Sequence, residues 1–108
     1  MSDNRFLKTC AEGNLGFIKS FFERDRANIH NYLHIDNKII SMICSKGYLD
    51  ILQYMYSLRP EIIQDSKAFE NAIRKNCISI IMFFIDNGHQ INLKNTEKII
   101  KLLCHIIY

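Results

Sequence analysis

The sequence predicts an all-α protein, a short α-solenoid of stacked helix–turn–helix repeats with about three complete units and a partial fourth. Three observations lead there. One apolar pattern occurs three times without a gap, in EGNLGFIKSFFE (12–23), KGYLDILQYMYS (46–57) and KNCISIIMFFID (75–86). Each copy follows a shorter apolar segment, with a Gly or Asn at the same place between the two. One Pro and four Gly leave little to interrupt helices, while 48% apolar content supplies a core and argues against disorder.

The units run approximately 5–37, 38–66, 67–95 and 96–108, within a single domain, because a chain of this length builds one core rather than two. In the first, FLKTCAEG (6–13) is a short helix ending at Gly13. Leu15, Phe17, Ile18, Phe21 and Phe22 then fall at i, i+2, i+3, i+6 and i+7, the broad apolar stripe of a longer helix. The second unit repeats this with IISMICSKG (39–47), then Leu49, Ile51, Leu52, Met55 and Tyr56, and breaks at Pro60. The third has FENAIRKN (69–76), then Ile78, Ile80, Ile81, Phe84 and Ile85. Gly13 and Gly47 are 34 positions apart (47 − 13), and Asn76 follows after 29 (76 − 47). Gly and Asn are the residues that a tight corner with positive φ accepts.

Gly88 stands where a helix C-cap belongs, and His89 after it is expected to face the terminal carbonyls. KIIKLLCHIIY (98–108) opens the incomplete fourth unit. Between the first two units, IHNYLHIDNK (29–38) has the length for a β-hairpin finger, whereas the connection before Phe69 is too short for one. Such units cannot bury their apolar sides alone and must stack.

Composition narrows the function. The net charge is +3, and the cations are spread from Arg5 to Lys101 with no basic run, some beside acids such as Glu23 and Asp25, so no nucleic acid is expected as a partner. Four widely separated cysteines do not make a stapled secreted domain, and MSDNRFLKTC (1–10) lacks the apolar core of a signal peptide. The longest apolar runs, 78–85 and 99–108, fall short of the roughly 20 residues of a membrane span. The expectation is an intracellular, cytoplasmic protein with reduced thiols and no membrane association.

No chemistry is visible. Cys10 and Cys44 occupy equivalent helix positions, where a thiol acts as a small hydrophobe. No C-x₂-C spacing occurs, and the adjacent Cys104 and His105 would point about 100° apart on a helix. His30 and His34 fall in a connection. Neither a nucleophile–base pair nor a phosphate-cradling loop can be assembled. The sequence therefore predicts no catalytic residue, metal or cofactor. The phenylalanines of the stripes are core, while Tyr32 and Tyr54 fall off the core columns and read as surface.

GYLDILQYMY (47–56), GNLGFIKSFF (13–22) and NCISIIMFFIDNGHQI (76–91) resemble the second helix of ankyrin repeats and the Gly-Ala-Asp-Ile that follows it. The period also resembles that family's, about 33 residues. The family's Thr-Pro-Leu-His opening is absent from every copy, and the Ile-, Asn- and Lys-rich units are similar to the ankyrin expansions of large DNA viruses. The resemblance implies a non-enzymatic module that binds another protein through its concave face, in a viral setting a host protein in the host cytoplasm. Carried over by position, that face comprises Lys8, Met42, Asn71 and Arg74 on first helices, with Tyr32, His34, Asn92 and Lys94 on fingers. At the end of the array Ile99, Ile100, Leu103, Ile106 and Ile107 form an apolar flank. Sealing of the array by this helix, giving a monomer, is the expectation. The alternative is a structural, self-associating protein joined through the flank, and more remotely a small nucleic-acid-binding helical domain.

Overall fold

Tight turns at the expected Gly and Asn positions set the path of the chain. The computed structural model describes residues 8–24 and 37–107, and the side chains of these except at positions 37 and 105–107. After a helical stretch, 8–11, come α1 (Leu15–Arg24), α2 (Asn37–Lys46), α3 (Leu49–Leu58), a 3-10 turn (Pro60–Gln64), α4 (Ser66–Arg74), α5 (Ile78–Asp86) and α6 (Leu93–Ile107). All regular structure among the described residues is helical.

The three corners share one hydrogen-bonding scheme. Gly13 and Gly47 have φ of +76°, and Asn76 has φ of +59°. At each, the corner amide donates three residues back (Gly13 to Cys10, Gly47 to Cys44, Asn76 to Ile73). The next amide donates five back (Asn14 to Thr9, Tyr48 to Ile43, Cys77 to Ala72). The otherwise orphaned carbonyls at the end of the preceding helix are thereby satisfied. One residue later Leu15, Leu49 and Ile78 donate to the corner carbonyl itself and begin α1, α3 and α5. Gly88, with φ of +91°, ends α5 in the same way, and His89 donates its amide to Phe84.

Side chains fix the other helix ends. Asn14 Oδ1 accepts from the Phe17 amide at 3.1 Å, capping α1. Asp65 Oδ1 accepts from the amides of Lys67 and Ala68, both at 3.1 Å, capping α4. Pro60 cannot extend α3 and opens the 3-10 turn instead.

α2 packs against α4 and α4 against α6, while α1 packs against α3 and α3 against α5. The expected alternation of shorter and longer helices is not found, since α1, α2 and α3 have 10 residues each, α4 and α5 have 9, and α6 has 15. Contacts between neighbours recur at equivalent positions. Tyr48 Oη donates to the Ala11 carbonyl at 3.0 Å, and Cys77 Sγ reaches the Ser45 carbonyl at 3.7 Å. Phe22 meets Tyr54 with ring centroids 6.4 Å apart, and Tyr56 meets Phe83 at 5.4 Å. The buried core follows the same columns: Ile18, Leu52 and Ile81 on α1, α3 and α5, and Cys10, Cys44 and Ile73 on the stretch 8–11, α2 and α4.

Three further expectations need correction. Tyr54 is not off the core, because its ring lies half-buried between units, with Lys19 Nζ 5.6 Å from its centroid. His89 does not face the carbonyls of its own helix. It is 8% exposed, and its Nδ1 lies 2.6 Å from the Ile63 carbonyl in the 3-10 turn. A carbonyl can only accept, so Nδ1 carries the proton. The imidazole is held 4.3 Å from the ring of Phe69 and 5.4 Å from that of Phe84. Finally, the last helix starts at Leu93, earlier than the expected boundary at 96, because Asn92 Oδ1 accepts from the Asn95 amide at 2.8 Å and caps it there. The finger expected over 29–38, the histidines His30 and His34, and Tyr32 lie outside the described residues, apart from the start of α2.

Candidate functional site

The cationic residues that the sequence scatters come together between α4 and α6. On α4, Glu70, Ile73 and Arg74 stand at i, i+3 and i+4, which places them on one face. On α6, Lys94, Lys98, Lys101 and Leu102 stand at i, i+4, i+7 and i+8, again one face. Ile99, Leu102 and Leu103 hold α6 against the core, so the lysine face turns toward α4. These residues and Asn76 of the third corner line an open groove of about 630 Å³.

Among the described residues, four cations surround this groove against the single carboxylate of Glu70. All four are exposed, and none is in an ion pair among the described residues. Ile73 is 5% exposed and Leu102 half-buried, so the groove has an apolar part between its charged rims. A second groove, about 530 Å³, lies where α2 and α4 begin and is lined by Lys38, Ser41, Asp65, Ser66 and Lys67. All five of these residues are polar or charged, and the Asp65 carboxylate there is engaged in capping α4.

The residues expected on a binding face are only partly gathered. Arg74 and Lys94 meet in the larger groove. Lys94 reaches it from the first turn of α6 rather than from a finger, because that helix begins at Leu93. Asn92 is exposed, but its side chain is the cap of α6. Lys8 is exposed, Asn71 half-buried, and Met42 half-buried against the core. Tyr32 and His34 lie outside the described residues. Lys98 and Lys101 were missed by sequence reasoning. Their signal was the lysine spacing at 94, 98 and 101, opposite Ile99 and Leu103, and assigning Lys94 to a connection concealed it.

The apolar flank divides too. Ile99 is 7% exposed and belongs to the core, and Leu103 is half-buried against it, so neither is open to a partner. Ile100 is 54% exposed. The side chains of Ile106 and Ile107 lie outside the described residues.

Cys10 and Cys44 are packed in the core. Burial pushes Cys10 up to about 12 and raises Cys44 further, with Asp65 and Cys77 adding to the effect at Cys44. Both stay protonated at neutral pH and are therefore poor nucleophiles. Among the described residues no cluster of three His, Cys, Asp or Glu could hold a metal ion. Among them also, no helix is long and apolar enough to cross a membrane.

No protein-family model, curated protein or solved structure matches this chain.

Proposed function

We propose that the chain is a non-catalytic protein-interaction module, a short ankyrin-like array whose first-helix side receives a protein partner. The observation that carries this reading is the recurrence of equivalent contacts between successive units. Tyr48 to Ala11 is matched by Cys77 to Ser45, and Phe22 with Tyr54 is matched by Tyr56 with Phe83. This recurrence supports a repeated register, in which the outer faces of the first helices would form one continuous surface, the feature that repeat arrays use for binding. Lys8, Arg74 and the cationic groove lie along the first helices and α6.

The test is capture from a cell lysate by the wild-type chain and by a Lys8→Ala/Arg74→Ala variant, quantified by mass spectrometry. A set of proteins held by the wild type and lost from the variant is the expected result. Identical retention by both removes the face from consideration.

A second reading draws on Leu93 and Ile100, which are 86% and 54% exposed and stand at i and i+7 on α6. They favour self-association through that stripe. Sedimentation across a concentration range separates the readings, since a self-associating chain gains mass and a Leu93→Ser/Ile100→Ser variant does not.

A further inference from the structure

We propose that the groove between α4 and α6 takes an acidic, amphipathic peptide segment of the partner protein. This rests on the reading of the chain as a protein-binding module and gives that module's ligand a chemistry.

Charge supplies the first argument. Lys94, Lys98 and Lys101 stand three and four residues apart, a spacing at which like charges repel on a helix. Arg74 faces the same groove, and no ion pair among the described residues relieves any of the four. A ligand carrying carboxylates relieves this repulsion as it binds, and the field of the groove steers it in. From Lys94 to Lys101 the helix rises about 10 Å. Acids at i, i+4 and i+7 of a partner helix match that interval.

The apolar part of the groove supplies the second. Ile73 and Leu102 contribute nothing to a small inorganic anion, but they give an aliphatic side chain a place to leave water. Among the described residues no aromatic side chain lines the groove to stack a base, so a nucleic-acid strand fits it less well. A second copy of this chain also fits poorly, because nowhere in its sequence do acids stand at i, i+4 and i+7.

The experiment is fluorescence anisotropy with a labelled helical peptide bearing Glu at i, i+4 and i+7 and Leu on the adjoining face. Matched probes carry Gln for Glu or Ser for Leu, and a single-stranded oligonucleotide of equal charge is run beside them. The wild type is expected to bind the Glu/Leu peptide and to lose affinity for both the Gln and Ser forms. Lys94→Gln/Lys98→Gln/Lys101→Gln should weaken binding about tenfold at low salt, with the difference shrinking as salt screens the groove. The single variant Lys98→Glu serves if the triple variant does not fold. Equal binding of the Glu and Gln peptides, absence of peptide binding, or tighter binding of the oligonucleotide each overturns the proposal. A wild type that captures lysate proteins through its first-helix face yet ignores the peptide refutes this ligand alone. One that captures nothing refutes the module itself.

Discussion

Gly13 and Gly47 offer a matched pair for testing the packing of Tyr48 against the first corner. Both have φ of +76°, so replacing either by Ala imposes the same backbone penalty, about 1–2 kcal/mol for an L-residue held in left-handed geometry. Their surroundings differ. A Cβ on Gly13 would lie 3.0, 3.1 and 3.3 Å from three ring atoms of Tyr48, the residue that ties the second unit to the first. Among the described residues, a Cβ on Gly47 would meet only Cys77 Sγ, at 3.4 Å. The ring is held by its hydrogen bond to Ala11 and cannot retreat without breaking it, so crowding adds about 1–3 kcal/mol at Gly13. Gly47→Ala should therefore cost about 1–2 kcal/mol and Gly13→Ala about 2–5 kcal/mol. At about 4–8 °C per kcal/mol for a small domain, the two melting temperatures should differ by several degrees. Urea titration of both variants, alone and with Tyr48→Ala, is the assay. The excess at Gly13 should vanish in the Tyr48→Ala background. Equal losses at the two glycines, or an excess that persists without the Tyr48 ring, would refute the inter-unit contact.

Two further outcomes follow from buried groups. His89→Phe keeps an aromatic ring beside Phe69 and Phe84 but strands the Ile63 carbonyl, and should cost about 1–3 kcal/mol in thermal unfolding; a neutral result would mean the hydrogen bond is not made. For the thiols, the unfolded chain ionises Cys10 near its usual 9.0, whereas the folded chain holds the proton to about 12. Between those values the unfolded state binds fewer protons, so this contribution is complete below pH 9 and is lost as pH rises toward 12. The slope is at most about 1.4 kcal/mol per pH unit for each such thiol, and Cys44 acts in the same direction. Cys10→Ala/Cys44→Ala should flatten the alkaline decline in stability, and an unchanged slope would assign that decline to other groups. Maleimide labelling of the native protein should modify the exposed Cys104 promptly, and Cys10 and Cys44 only after unfolding.

Much of the helical layout was legible in advance because it is local. A stripe at helical spacing and a Gly or Asn corner depend on residues a few positions apart, so Leu15, Leu49 and Ile78 could be aligned and each does begin a helix. The cap at Asn92 was missed although it too is local, since the unit boundary was taken from the repeat period and not from capping chemistry. Tyr54 was misread for a different reason. Its equivalent in the third unit is Phe83, and only the comparison of contacts between units shows that both receive an aromatic from the preceding layer.

The groove depends on distance across the fold. Lysine spacing along α6 is written in the chain, but the apposition of that face to Arg74 and Glu70 exists only once Ile99 and Leu103 have docked the helix. The same is true of His89, whose partner carbonyl lies 26 residues earlier. Helix periods and turn preferences are set by covalent geometry and short-range sterics, which residue order records directly. Electrostatic grouping and long-range hydrogen bonding are set by which apolar faces pack together, and that choice belongs to the folded whole.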